Sequence, residues 1–90
     1  MLLQSSAFVR EARRVLKKRP DIAANLEMTF AALMEDAFQP GLKSHKLKGD
    51  LAGSWACSAG YDLRIIFEFV QQDGAEAILL QSIGTHDEVY

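Results

Sequence analysis

The stretch Leu63-Arg64-Ile65-Ile66-Phe67-Glu68-Phe69-Val70 decides the fold. Leu63, Ile65, Phe67 and Phe69 are all apolar, and the alternate positions mix Ile66 and Val70 with Arg64 and Glu68. A period of two with both faces largely apolar is the pattern of a central strand covered on one side by helices. Gln72, Asp73 and Gly74 follow with turn chemistry, and a second apolar run from Ala75 to Ile83 predicts an antiparallel hairpin. Around this hairpin, Gly53 to Ser58 (GSWACS) predicts a shorter strand, Lys43 to Lys48 alternates like a strand, and Thr85 to Tyr90 is expected to add a short edge element.

The first half of the chain has a different period. Ser5 or Ser6 can cap a helix in which Phe8, Val9, Ala12, Val15 and Leu16 recur every three to four residues, with Arg10, Arg13, Arg14, Lys17 and Lys18 on the other face. Pro20 ends that helix and suits the first position of the next, because its missing N–H is one that a helix leaves unpaired there anyway. Ile22, Leu26, Phe30, Leu33, Met34 and Ala37 form the second apolar stripe, which runs out near Gln39, Pro40 and Gly41. The expected order is a short strand or coil, two helices, then three or four antiparallel strands. This is an α+β fold: an N-terminal helical hairpin packed on a small antiparallel sheet.

Ninety residues, 49% of them apolar, are expected to form a single domain over residues 1–90. One cysteine, Cys57, excludes a disulfide framework and multi-cysteine zinc patterns. No apolar run approaches the roughly 20 residues of a membrane span, and the N-terminus lacks the character of a signal peptide, so a cytoplasmic protein is expected. Charge is unevenly placed. Residues 1–48 carry nine of the ten Lys and Arg against five of the twelve Asp and Glu, a balance of +4; residues 49–90 carry Arg64 against seven acids, a balance of −6. The basic half suits a polyanion or acidic partner, and equally a solvated helix face.

Few residues carry chemistry. His45 and His86 are the only histidines; each reads as an exposed structural side chain or as a group facing a ligand, and His86 follows a strand directly, where loops present functional groups. Arg64, set in the most apolar strand, reads either as the partner of Asp62, Glu68 or Glu76, or as an anion site on the sheet. Cys57 and Trp55 read first as packing, with nucleophile and base-stacking roles as their alternatives. The chain has no phosphate-binding glycine loop and no paired histidines at metal-binding spacing.

The order Ser44-His45-Lys46-Leu47-Lys48-Gly49, then Gly53-Ser54-Trp55, then Asp62-Leu63-Arg64-Ile65-Ile66-Phe67, then Ile83-Gly84-Thr85-His86-Asp87-Glu88-Val89-Tyr90 resembles the RelE/ParE superfamily of bacterial type II toxins, and within it the YafQ-like branch. The resemblance implies a RelE-like fold and a ribosome-dependent mRNA endonuclease held inactive by a cognate antitoxin. It implies catalytic roles for His86, His45, Asp62, Arg64 and the C-terminal aromatic Tyr90. Ser58 stands where some members carry a further histidine.

Cleavage of RNA without a metal uses the substrate's own 2′-hydroxyl, so a protein must deprotonate that oxygen, protonate the departing 5′-oxygen and stabilise charge on the phosphate. His45, His86 and Asp62 suit proton transfer, and Arg64, Lys46 and Lys48 suit charge stabilisation. Arg10, Arg13, Arg14, Lys17 and Lys18 suit contact with ribosomal RNA. Ribosome, mRNA and antitoxin are the expected partners, with no membrane, no metal and no cofactor. The alternative is a ParE-like or degenerate toxin that binds a protein target and uses neither histidine.

Overall fold

A computed structural model describes residues 1–60 and 62–89. Its elements are β1 (Leu2–Gln4), α1 (Ser6–Lys18), α2 (Ala23–Glu35), β2 (His45–Lys46), β3 (Trp55–Ser58), β4 (Leu63–Gln72), β5 (Ala75–Thr85) and α3 (His86–Val89), with 3₁₀ turns at Pro20–Ile22, Pro40–Leu42 and Gly49–Leu51. The fold is α+β, helices on a sheet of order β1-β5-β4-β3-β2.

The hairpin of β4 and β5 is the centre of that sheet. Gln72 pairs with Ala75 across a two-residue turn in which Asp73 and Gly74 both have positive φ, the left-handed backbone that a tight hairpin turn needs and that Asp-Gly supplies at low cost. The register then slips once. Phe67 pairs with Leu80 but Ile66 pairs with Ser82, leaving Gln81 as an extra residue. A bulge of this kind reverses which side chains face the core. It explains why Ile78, Leu80 and Ile83, spaced by two and then three, all lie in one buried cluster.

Gln81 is also a tie point. Its carbonyl accepts from the Ser5 hydroxyl (3.0 Å) and its side-chain oxygen accepts from the Ser54 hydroxyl (2.8 Å). Ser5 caps α1 in the same act, accepting from the Phe8 amide at 3.0 Å. Beyond the reach of β1, the Ile83 amide donates to Glu11 of α1 (3.2 Å), so the helix covers the free edge of β5 and satisfies its backbone.

The core lies between the helices and one face of the sheet. Phe8, Ile22, Leu26 and Leu33 meet Cys57, Ile65, Phe67, Leu80 and Ile83. Phe38, Trp55, Phe67 and Phe69 extend it as an aromatic cluster with ring centroids 5.1–5.9 Å apart.

The structure differs from the sequence reading in four places. The sheet has five strands and is mixed, because β1 pairs in parallel with β5. Three residues are too few to show a period, and their partner lies at the other end of the chain. The C-terminal element is the short helix α3, not an edge strand. The second helix ends at Glu35, since the Asp36 carboxylate turns back to accept from the Phe38 amide (2.9 Å) and so competes with further helix. Met34 is 62% exposed; the buried stripe of α2 runs through Leu26, Thr29 and Leu33, with the Thr29 hydroxyl donating to the Asn25 carbonyl (2.8 Å).

Phe67→Ala is expected to cost about 3–5 kcal/mol, the usual penalty for emptying a fully buried aromatic site. Ser5→Ala should cost about 1–2 kcal/mol, because it removes a helix cap and the tie to Gln81 together. Urea unfolding monitored by circular dichroism checks both values.

Candidate functional site

At the end of the central hairpin the chain turns directly from strand to helix. The Thr85 amide donates to the Glu88 carboxylate (2.9 Å), and the Glu88 amide donates to the Thr85 hydroxyl (3.3 Å). This reciprocal pair is a capping box, and its T-x-x-E spacing is readable in Thr85-His86-Asp87-Glu88. His86 is the first residue of the helix so formed. It is exposed, with Nδ1 3.7 Å from the Asp87 carboxylate, an ion pair whenever the ring is protonated.

Beside α3 lies a cleft of about 500 Å³ lined by Arg14, Val15, Lys18, Arg19, Asp62, Leu63, Thr85 and Glu88. Arg19 faces both Asp21 (3.7 Å) and Asp62 (3.9 Å), and Arg14 faces Glu88 at 4.0 Å. The hydrogen bonds from the Thr85 amide and hydroxyl, with help from the charges of Arg14 and Lys18, hold the Glu88 carboxyl below its ordinary pKa. The basic end of α1 therefore meets acids of the C-terminal half here, and exposed pairs at these distances contribute little stability singly.

Arg64 lies one strand away. In the sheet register it stands between Ser58 on β3 and Gly84 on β5, and its guanidinium donates to the Leu63 carbonyl at 2.9 Å. Asp62 faces Arg19 instead, so the ion pair that the sequence offered between Asp62 and Arg64 gives way to one with α1. His45 belongs to the next row, aligned with Ala56 and through it with Ile66, on the same face as Arg64. Two strand spacings across the sheet, about 10 Å, and a two-residue step along it, about 7 Å, separate its backbone from that of Arg64, so a ligand touching both has to bridge two rows. The His45 Nδ1 lies 3.1 Å from the Lys43 carbonyl, which can only accept, so Nδ1 carries the proton and Nε2 is the basic nitrogen of the neutral ring.

Other predicted residues fall elsewhere. Lys46 alternates away from His45 and places its ammonium 5.6 Å from the Trp55 ring centre. Trp55 is enclosed edge-to-face by Phe38 and Phe69, which is packing. Lys48 is exposed and precedes the turn Gly49–Leu51. Arg10, Arg13, Arg14, Lys17 and Lys18 are all exposed along α1. Tyr90 lies outside the described residues. Among the described residues, no group of three or more His, Cys, Asp and Glu is placed to hold a metal ion, and no helix is long and apolar enough to cross a membrane.

Residues 2–90 match the family model of the bacterial toxin of type II toxin-antitoxin systems, YafQ. The chain belongs to the YafQ family. No curated protein matches it in sequence. Solved structures of the same shape include YafQ from E. coli, with a TM-score of 0.79 at 16% identity over 100% of this chain and 97% of that one. A metal-bound toxin from Helicobacter pylori has a TM-score of 0.79 at 24% identity, over 100% of this chain and 98% of that one. The E. coli DinJ-YafQ complex gives a TM-score of 0.77 at 17% identity, over 100% of this chain and 97% of the matched one. At these identities the likeness extends to the fold. In this YafQ family member the residues to which sequence reasoning gave no role are Gly84, Thr85 and Glu88, which it read only as part of the resemblance, and Arg19. Thr85 and Glu88 had a signal in the capping box; Gly84 and Arg19 had none, because the close contact of one and the acid partner Asp62 of the other are set by the fold.

Cys57 is fully buried, and burial pushes its thiol up from 9.0 to about 12. It is a packing residue with no thiolate near neutrality. The folded state holds this proton more tightly than the unfolded state, so the associated stability is present below about pH 9 and is lost as pH rises toward 12. A thiol reagent at pH 8 should label Cys57 only after denaturant is added; rapid labelling of the native protein would contradict the assignment.

Proposed function

We propose that this YafQ family toxin is a ribosome-dependent mRNA endonuclease that works by metal-free acid–base catalysis, as one domain over residues 1–90, in the cytoplasm. The observation that carries the reading is the placement of His86. It is an exposed imidazole at a strand-to-helix junction, two residues from the position aligned with Arg64, and its neighbours Thr85 and Glu88 line a cleft against the cationic end of α1.

In this reading a base among His45, His86 and Asp62 removes the proton from the 2′-hydroxyl. The 2′-oxygen attacks phosphorus, the bond to the 5′-oxygen breaks, and an acid protonates that departing oxygen, leaving a 2′,3′-cyclic phosphate and a 5′-hydroxyl. Arg64 stabilises the charge on the phosphate, because its planar fork matches phosphate oxygens. Tyr90 completes the catalytic set, and Lys46 and Lys48 attract the RNA strand. The exposed row of Arg10, Arg13, Arg14, Lys17 and Lys18 binds ribosomal RNA through phosphate neutralisation. A relative of the same fold forms the DinJ-YafQ complex, and a cognate antitoxin is the corresponding partner here.

His86→Gln should lower mRNA cleavage on translating ribosomes by about 10²–10⁴, the range of a lost general acid or base. The variant should keep its circular dichroism spectrum, and stripping the toxin of transition metals before it is added to ribosomes in Mg²⁺ buffer should leave wild-type cleavage unchanged. Full cleavage by folded His86→Gln would overturn the reading. Growth inhibition without RNA cleavage would favour the ParE-like alternative, a toxin that binds a protein target. Replacing Arg10, Arg13 and Lys17 together with Gln is expected to weaken ribosome binding and flatten its salt dependence while the fold persists; sedimentation with ribosomes at several salt concentrations measures this.

A further inference from the structure

We propose that Gly84, Thr85 and Glu88 are positioning residues that set the place of His86, an inference that rests on the nuclease reading for its catalytic consequence. The reason begins with length. An isolated helix of four residues does not hold itself, because the first turn fixes several residues for a single hydrogen bond. The direction in which α3 presents His86 is therefore imposed from outside the helix.

Two features impose it. The capping box closes a ring around His86 and Asp87, with Thr85 and Glu88 exchanging a hydrogen bond in each direction. Gly84 then lets that ring settle onto β5. A Cβ at residue 84 would lie 3.1 Å from Glu88 Cβ, 3.1 Å from Glu88 Oε1 and 3.2 Å from Val89 Cγ1. Glu88 Oε1 is the same atom that accepts from the Thr85 amide, so any side chain at 84 presses on the acceptor of the box. Glycine serves close approach here and not an unusual backbone angle: a Cβ would have to push Glu88 and Val89 back by a few tenths of an ångström. Because Gly84 stands opposite Arg64 in the sheet, the seat places the imidazole relative to the guanidinium. The second Glu88 oxygen faces Arg14 on α1 at 4.0 Å, which adds a contact from the helical layer.

The test compares Glu88→Ala, Glu88→Gln and Gly84→Ala with the wild-type chain. Three readouts are needed: single-turnover mRNA cleavage on translating ribosomes, ribosome affinity, and the NMR signals of the His86 ring with amide exchange at residues 85–89. Glu88→Ala and Gly84→Ala should slow cleavage by about 10- to 100-fold, the scale of a misplaced catalytic group, with ribosome affinity held. Both should shift the His86 ring signals and lose protection at the Thr85 amide, whose acceptor is the Glu88 carboxylate. Glu88→Gln keeps the acceptor oxygen and should recover most of the rate lost in Glu88→Ala. Full cleavage by Glu88→Ala overturns the proposal. So does a Glu88→Gln protein as slow as Glu88→Ala, which would assign the effect to charge. If the wild-type chain cleaves no RNA, the nuclease reading fails by itself, and unchanged His86 signals in Glu88→Ala and Gly84→Ala then overturn the seat independently.

Discussion

The pairing of β4 with β5 is the constraint from which the other parts take their positions. Every residue of β4 has a partner on β5, and one extra residue, Gln81, interrupts the ladder. Without the slip, either Ile78 and Leu80 or Ile83 would face away from the helices, and a sheet that buries one face cannot leave its largest side chains on the other. The bulge also turns Gln81 into a hub for Ser5 and Ser54, so the start of α1 and the approach to β3 are referenced to the same point. Position along β5 is thereby transmitted to both the helical layer and the sheet edge.

One consequence is a division of labour between the two faces of the sheet. The face holding Cys57, Ile65 and Phe67 is filled by α1 and α2. The other carries His45, Arg64 and Ser58 in two adjacent register rows. Alternation along a strand makes this separation automatic, since neighbours in sequence point to opposite faces. It is also why Lys46, next to His45 in sequence, ends over Trp55 and away from Arg64.

The uneven charge of the chain is resolved at the junction of α1 with the C-terminal segment. Arg14 and Arg19 meet Glu88 and Asp62 at the same cleft, so part of the basic face is answered by acids from the other half of the same molecule. Arg10, Arg13 and Lys17 show no such pairing among the described ion pairs and are exposed along α1. A polyanion approaching α1 therefore meets cations from its middle to its C-terminal end, with Arg14 partly neutralised by Glu88.

The hairpin, the Asp-Gly turn, the two helices and a serine cap at Ser5 or Ser6 were legible in the residues, because each rests on local period or local hydrogen bonding within a few positions. The resemblance carried by Ser44 to Gly49, Asp62 to Phe67 and Ile83 to Tyr90 pointed to the same family that residues 2–90 match. The capping box was equally local, and its helix could have been read from Thr85 and Glu88. What local pattern could not decide was long-range. β1 pairs with a strand more than seventy residues away, Glu11 reaches the Ile83 amide, and Asp62 chooses Arg19 over its near neighbour Arg64. Those choices depend on where α1 lies across the edge of β5, which is set by packing of the whole apolar cluster and by no single segment. The sequence by itself determined the central hairpin, the two long helices and the family; the tertiary structure decided which charges meet, which strand edge α1 covers, and how closely α3 approaches Gly84, because only packing brings those residues together.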